Sequence, residues 1–374
     1  MHDRSRFLLI LCLGGACLLS AVPAAGQIIY GQEAAGNLDI IGTHWKMTLD
    51  QNEVTIDQWA IPAGVFVPLR ENLEARVIVG YATTTVKQLG QEFNLQGLSD
   101  MRLQVTHAFA RDRLLAGVGL NLPVGHKALN LDEEWVVMNY LSQSFLSFPV
   151  RNLGEGFGLN LMFGGATELG DNRVGATATY DMKGSYEAYL GEEKYNPGNA
   201  LNLTAGLQRE LGPRLFSGDV TLTVSADDKQ GGVPVFSRGE QLAFHAGLSG
   251  GSTTRRYRAD ATYLARGRNT AFDPAGVLLQ QLKVYGNEFI VAGSHDWTSQ
   301  QGWTYGPAAD LRLIAGNEIG LGKSTILGLD GHVSRALTST VNLGLALKYF
   351  TGSTHAGEVD LSGFQAWLTA SGTF

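Results

Sequence analysis

The fold of this chain is decided by a two-residue alternation that is clearest in residues 201–208, which read LNLTAGLQ. The leucines and the alanine of this stretch would share one face of a strand, because successive strand side chains point to opposite sides. The same period returns in other segments of similar length, at 174–181, 219–225, 241–248 and 341–349. The chain is therefore predicted to be built from strands with one apolar and one polar face.

A soluble sandwich and a membrane barrel both use alternating strands, but they place the apolar face differently. A sandwich buries it between two sheets, whereas a membrane barrel turns it outward to lipid and turns the polar face inward to a lumen. The polar face here carries many charges, which are costly to bury in a dry core. We therefore predict a transmembrane antiparallel up-and-down β-barrel of 14–16 strands. Its pore lining is assigned to Arg76, Arg102, Asp181, Asp219, Arg256, Arg258, Asp260, Asp310, Arg312, Asp330, His332 and Lys348.

The candidate strands number sixteen, and the connections between them are alternately short and long. The strands are predicted at roughly 38–49, 53–68, 72–83, 99–109, 113–122, 156–167, 172–182, 199–209, 215–226, 239–249, 255–265, 286–296, 303–315, 325–335, 340–350 and 360–374. Short turns on one side and long connections on the other are typical of outer-membrane barrels, and an even strand number leaves both chain ends in the periplasm. Pro62 and Pro307 fall inside two of these strands and cannot donate to a ladder, so fourteen strands are the alternative.

The first 26 residues are typical of a secretory signal peptide. Arg4 and Arg6 precede an apolar run, which ends in the small residues around Ala24. Cleavage after Gly26 would leave residues 27–374 as a single barrel domain, and an uncleaved membrane anchor is the alternative. Both cysteines of the chain lie within the predicted signal peptide, so the mature protein is expected to fold without disulfides.

Composition excludes several classes of protein. Charged residues make up 17% of the chain and glycine accounts for 48 of 374 residues, against about 25% and about 7% in ordinary soluble domains. A cytosolic helical enzyme is thereby disfavoured. The net charge of −7 offers no basic surface for a phosphate backbone, so no nucleic-acid partner is expected.

The last segment of the chain resembles the C-terminal signal of bacterial outer-membrane barrels. Alternate residues from Phe364 to the terminal Phe374 share one apolar face. The resemblance implies a location in the bacterial outer membrane, with membrane lipid as surroundings. It also implies recognition by the barrel assembly machinery, with Phe374 as the assembly signal.

A second resemblance covers about residues 98–210. The stretches 98–103, LSDMRL, and 117–125, GVGLNLPVG, are similar to central strands of the outer-membrane transporters for fatty acids and aromatic hydrocarbons, including those associated with phenol degradation. This resemblance implies passage of small hydrophobic molecules across the outer membrane. The segment before the first predicted strand is too short for the N-terminal hatch of the fatty-acid transporters, so their lateral-release mechanism does not carry over.

The long connection at 123–155 is apolar where a surface loop would be polar. Asn130 is a candidate helix cap, and apolar residues follow at helical spacing until Pro149. A helix within residues 126–150 is predicted, either folded into the lumen as a constriction or packed on the rim of the barrel. The residues assigned to the constriction are Trp135, Met138, Tyr140, Leu141 and Phe145.

The sequence offers little catalytic chemistry. His332 and Ser334 have the His-x-Ser spacing that resembles outer-membrane phospholipases, but both are predicted to face the lumen and not the lipid. The histidines are otherwise scattered, so no metal and no cofactor are expected. We predict a passive channel or transporter for small, hydrophobic or amphipathic molecules and no enzyme; the alternatives are a general hydrophilic porin and a closed structural or enzymatic barrel.

Overall fold

The computed structural model describes residues 33–50, 52–111, 113–126, 128–131, 133–320 and 322–374, so the predicted signal peptide lies outside the described residues. The described chain is mainly strand. Its elements in chain order are β1 Ala35–Leu49, β2 Asn52–Arg70, β3 Leu73–Gln88, β4 Gln91–Leu98, β5 Met101–Phe109, β6 Leu114–Leu122, α1 Glu134–Leu141, β7 Gly158–Leu169, β8 Asn172–Lys183, β9 Tyr195–Asn196, β10 Ala200–Leu211, β11 Arg214–Ser225, β12 Asp228–Gln230, β13 Val233–Ser237, β14 Gln241–Gly251, β15 Arg255–Arg266, β16 Asn269–Phe272, β17 Leu278–Leu282, β18 Glu288–Thr298, β19 Trp303–Ile314, β20 Ser324–Ala336, β21 Val341–Thr354 and β22 Val359–Thr373.

The large sheet is a closed antiparallel barrel with sixteen strand positions. Each strand pairs with its neighbours along the chain, and β22 pairs with β1 to close the ring. β4 and β5 share one position, because β4 pairs with the second half of β3 and β5 with its first half. The barrel and all sixteen predicted strand positions are confirmed, and the alternative of fourteen strands is wrong.

The two prolines that favoured fourteen strands lie at interruptions of the ladders. The pairing of β2 with β1 breaks at Ile61 and Pro62, and the pairing of β19 with β18 breaks at Gly306 and Pro307. On its other side, each proline stays in register, opposite Gly80 or Gly331. Proline has no N–H to donate. Both strands nevertheless remain in the barrel, and only the ladder pairs at the proline are missing on one side.

The two faces of the barrel follow the alternation of the sequence. Outward residues such as Leu203, Leu329 and Phe364 are exposed apolar side chains, as expected for a surface in contact with lipid. The first residue of β1, Ala35, pairs with Thr373 near the end of β22, at the end of the barrel that has the short turns. The predicted asymmetry of connections is confirmed.

The long connections contain structure that the alternation does not predict. Residues 84–98, which were predicted to be a connection, form a hairpin in which the second half of β3 pairs with β4. The connections predicted at 183–198, 227–238 and 266–285 contribute β9, β12, β13, β16 and β17, which pair into a second, five-stranded sheet. These strands have two to five residues each, too few for a two-residue period to stand out.

The single predicted loop helix is present as α1, although it begins later than the sequence suggests. Asn130 does not cap it: the residue before the helix is Glu133, and no side chain caps the helix there. The Glu134 carboxylate instead accepts a hydrogen bond of 2.7 Å from the Asn130 backbone N–H. None of the helices in the described part of the chain has the length and apolar character that a membrane span requires.

Candidate functional site

The connection between β6 and β7 folds into the lumen and packs against one wall of the barrel. Its apolar side chains are buried together with inward-facing residues of β1–β4 and of β20–β22. The wall contributes Trp45, Ile56, Val86, Leu95, Ile326 and Phe350, and the connection contributes Val137, Met138, Leu141, Phe145, Leu146, Phe148, Val150 and Leu153. We call residues 128–153 the inner segment. Its burial explains why a surface connection of this chain is apolar.

Hydrogen bonds fix the inner segment to this wall. The Trp45 indole N–H donates to the backbone carbonyl of Leu146 over 2.8 Å. The Gln58 side chain pairs with the backbone of Val150 in both directions, as donor over 2.7 Å and as acceptor over 3.2 Å. Gln58 is almost fully buried, and this paired contact satisfies polar groups that would otherwise be costly to bury.

One carboxylate secures the two points at which the inner segment leaves and rejoins the barrel. Asp100 lies between the end of β4 and the start of β5. At this point the pairing register of these strands with β3 shifts by one residue. Its carboxylate accepts hydrogen bonds from the backbone N–H of Gly125, over 3.1 Å, and of Glu155, over 2.7 Å. It also accepts a bond of 2.9 Å from the amide of Asn121. Asp100 thus links both ends of the connection to the barrel wall.

The inner segment also reaches the wall formed by β18, which is separated from β2 by β19–β22 and β1. The Ser144 hydroxyl donates to the carboxylate of Glu288 over 2.6 Å, and Arg266 donates to the same oxygen over 2.9 Å. Burial lowers the pKa of Arg151 to about 10, while Glu288 acts in the opposite direction. The Arg151 guanidinium therefore stays charged at neutral pH, near a buried carboxylate.

The structure places the five side chains assigned to a constriction in different surroundings. Met138, Leu141 and Phe145 are buried in the cluster against the wall. The Tyr140 hydroxyl donates to Gln88 at the end of β3 over 2.8 Å, and burial raises the pKa of Tyr140. Trp135 is half-buried and lines a recess on the other side of α1. Leu141, Phe145 and Tyr140 thus contact the wall on which the inner segment lies, whereas Trp135 and Met138 both line the recess as well as contacting the buried cluster.

The recess lies between α1 and the connections that carry the second sheet. Its empty space, including the open mouth, is about 750 Å³. The lining combines Trp135 and Met138 with Tyr186, Tyr189 and Tyr195, and polar residues such as His126 and Asn139 stand among them. The Trp135 indole nitrogen is buried and has no hydrogen-bond partner among the described residues. About 40 Å³ of this space is open to the centres of water-sized molecules, so the recess holds small groups and presents aromatic surface at its mouth.

A buried ion pair holds the second sheet beside this recess. Asp228 is fully buried and forms an ion pair of 3.3 Å with Arg238. The Tyr195 hydroxyl donates to the same carboxylate over 2.5 Å, and the backbone N–H of Gly198 donates over 2.6 Å. Burial raises the pKa of Tyr195, with the charge of Asp228 acting in the same direction. The phenol is therefore neutral and available as a donor.

The wall from β7 to β15 is not covered by the inner segment. Its inward side chains are largely amides, hydroxyls and carboxylates that are only half-buried. Asn202 donates to Asp181 over 2.9 Å and accepts from Thr223 over 2.7 Å, and hydroxyls pair across the strands in the same way. This face of the lumen resembles a hydrated surface more than a packed core.

All twelve side chains assigned to the pore lining lie on the inward face, as the strand registers show. Several of them come together. Arg258 bonds to Asp260 over 2.6 Å, Arg312 bonds to Asp310 over 3.0 Å, and Lys348 also contacts Asp310. The other seven are Arg76, Arg102, Asp181, Asp219, Arg256, Asp330 and His332; of these, Asp330 lies opposite Lys348 in the ladder, and Arg256 lies at the short-turn end of β15.

Sequence reasoning missed the partners of these charges. His245 joins Asp219 over 3.0 Å and Asp260 over 3.3 Å, and Asp296 joins His332 over 3.0 Å. His245 lies on the strand next to those of Asp219 and Asp260, whereas Asp296 on β18 and His332 on β20 are separated by β19. All of these residues face inward, so the alternation of the sequence was the signal that could have pointed to them. Gln58 gave no such signal, because its partner Val150 comes from the inner segment. Asp100 gave none either, because it bonds to backbone N–H groups on both sides of that segment.

The His-x-Ser pair faces the lumen. His332 pairs with Asp296, and Ser334 lies opposite Thr304 of the neighbouring strand. No hydrogen bond joins His332 to Ser334 among the described residues. The pair therefore lacks the contact by which a histidine activates a serine hydroxyl.

Comparisons with known proteins give structural likeness at low identity. No family model matches the chain, and no curated protein matches it. The CymD monoaromatic hydrocarbon channel covers 92% of this chain and 89% of its own, at 13% identity and a TM-score of 0.45. OccK7 (OpdD) of Pseudomonas aeruginosa covers 91% and 99%, at 11% identity and a TM-score of 0.45. A bacterial polysaccharide outer membrane secretin covers 92% and 99%, at 12% identity and a TM-score of 0.46.

Proposed function

We propose that this protein is a passive channel of the bacterial outer membrane for small amphipathic molecules. The observation that carries the proposal is the division of the lumen into two walls. The inner segment covers the wall formed by β1–β4 and β20–β22, and the polar wall from β7 to β15 stays uncovered. A barrel of sixteen strands is wide enough to hold an aqueous passage. Solute would diffuse along the polar wall, beside the inner segment.

The location in the outer membrane is supported by the outward face. A chain in lipid must pair its backbone polar groups internally, and a closed barrel does so without leaving a free edge. The outward face carries exposed apolar side chains along its strands, such as Leu207, Leu311 and Leu345.

We further propose that residues 1–26 are removed on export and that Phe374, which is exposed at the end of the chain, serves as the assembly signal. Deleting Phe374 should reduce the amount of folded barrel in the outer membrane, and N-terminal sequencing of the mature protein should begin at Gln27.

The recess on the other side of α1 favours amphipathic solutes. Its aromatic side chains would contact an apolar group at the mouth, and the indole N–H of Trp135, whose nitrogen is buried, would donate to an oxygen acceptor once the side chain turned toward it. A solute with both features could leave the recess for the polar wall without losing all its hydrogen bonds. A purely apolar molecule could contact the aromatic side chains of the recess but could not form hydrogen bonds with the polar wall.

Conductance in planar bilayers tests the channel directly. The refolded protein is compared with a variant in which residues 128–148 are replaced by a Gly/Ser linker. As a matched control, residues 273–277, the turn between β16 and β17, are replaced in the same way. We expect the control to conduct like the parent protein and the inner-segment variant to conduct more, because it lacks the segment that covers one wall.

The alternatives give different results in the same experiment. Large, steady conductance in the parent protein, with no change in the inner-segment variant, would indicate a general hydrophilic porin. Silence in all three proteins would refute the channel and favour a structural barrel. An enzymatic barrel would show turnover that is lost in His332→Ala, and we expect no such turnover.

A further inference from the structure

The aspartates of the lumen wall differ in the groups that neutralise them. Asp310 lies against Lys348 and Arg312, and Asp260 lies against Arg258. Asp219 and Asp296 each pair with a histidine. Asp310 and Asp260 are therefore neutralised by neighbouring cations, whereas Asp219 and Asp296 each have an imidazole ring as partner.

Asp181 differs from these residues because its partners are neutral amides. Asn160 donates to one carboxylate oxygen, and Asn202 donates to the other over 2.9 Å. Its cross-strand neighbours in the ladder are Asn160 on β7 and Ala200 on β10, neither of which carries charge. Lys183 follows two residues later on the same face, but it forms no ion pair with Asp181 among the described residues.

The arrangement leaves Asp181 able to bind a cation. A carboxylate has about four acceptor positions, and the two amides occupy only part of them. The amides hold the group in place without neutralising it. The side chain is half-buried on the wall that the inner segment leaves uncovered, so a passing solute can approach the remaining lone pairs.

We infer that Asp181 shifts the selectivity of this lumen toward solutes that carry a positively charged amino group and away from anions. The inference rests on the proposed channel function and names the charge class of its solutes. A primary ammonium fits best, because its three N–H donors match a carboxylate with free acceptor positions. A unit charge about 6 Å from the solute, in a water-filled lumen at about 0.1 M salt, would favour cations and disfavour anions by about twofold each, and so change the ratio of cation to anion permeability by about three- to fourfold.

The test measures reversal potentials in a KCl gradient, and then with n-butylammonium chloride, for the wild type and for Asp181→Asn. Asparagine keeps the size and one acceptor oxygen but removes the charge. Asp171→Asn is the matched control: it removes the same charge from the turn of the same hairpin, where the Asp171 side chain is 84% exposed. All are measured in the intact protein and in the inner-segment variant.

We expect the ratio of cation to anion permeability to fall about three- to fourfold from the wild type to Asp181→Asn, and not to change in Asp171→Asn. Asp181→Glu, which restores the charge if the asparagine variant folds poorly, should keep the preference. Raising the salt from about 0.1 M to about 1 M should weaken the effect, because screening shortens to a few ångströms. Conductance with the same permeability ratio in the wild type and Asp181→Asn would overturn the inference and leave the channel intact. Absence of conductance in every protein would instead refute the proposed function.

Discussion

Asp100 is expected to control how firmly the inner segment is held in the lumen. Replacing it by alanine removes the acceptor for the backbone N–H groups of Gly125 and Glu155 and for the amide of Asn121. An unsatisfied buried N–H costs about 1–3 kcal/mol. Because these groups are only half-buried, the low end of that range applies. Two backbone groups then give about 2–3 kcal/mol.

This loss should appear as local opening of the connection and not as unfolding of the barrel. At about 1.4 kcal/mol for each factor of ten, the opening equilibrium should rise about 30- to 150-fold in Asp100→Ala. Asp100→Asn keeps one oxygen and should give about tenfold, from the loss of about one bond. Native-state hydrogen exchange at Gly125 and Glu155, followed by mass spectrometry in detergent micelles, measures this equilibrium.

Ser99→Ala is the matched control for this prediction. The Ser99 hydroxyl accepts a bond of 2.8 Å from the backbone N–H of Gly80, a residue of the barrel wall and not of the inner segment. Exchange in the connection should therefore match the wild type. Two results would refute the reasoning: unchanged protection of residues 123–157 in Asp100→Ala, or an equal loss of protection in a distant ladder such as that of β10 and β11.

Three other substitutions test separate parts of the structure. Trp45→Phe removes the donor to the Leu146 carbonyl and should weaken docking of the inner segment by about 1–3 kcal/mol, seen as faster proteolysis of the connection with an unchanged barrel; an unchanged rate would contradict the contact. Tyr195→Phe removes a donor from the fully buried Asp228 and should cost about 1.5–3 kcal/mol. Its readout is hydrogen exchange in β12, where wild-type protection would show that this bond does not hold the second sheet. Pro62→Ala adds an N–H where the ladder is already interrupted, so the free energy of unfolding in urea should change by less than about 1 kcal/mol; a large change in either direction would mean that the proline determines the interruption.

The architecture could be predicted because the barrel repeats one rule along most of the chain. Every barrel strand alternates, so the period alone assigns residues such as Asp181 and Lys348 to the inward face. The small second sheet could not be predicted in this way. Its strands are held by pairing between distant connections and by the Asp228 carboxylate, and neither leaves a periodic pattern.

The sequence by itself determined the closed barrel of 14–16 strands, the asymmetry of its connections and the apolar helix within one of them, and the structure decided for sixteen. These features depend on local alternation, which is a property of neighbouring residues. Only the tertiary structure decided where the inner segment lies and which lumen carboxylates lack a positively charged side chain as partner. Those outcomes depend on residues far apart in the chain, such as Gln58 with Val150 and Ser144 with Glu288. Contacts of this kind are set by barrel closure, because closure brings separate strands around one lumen.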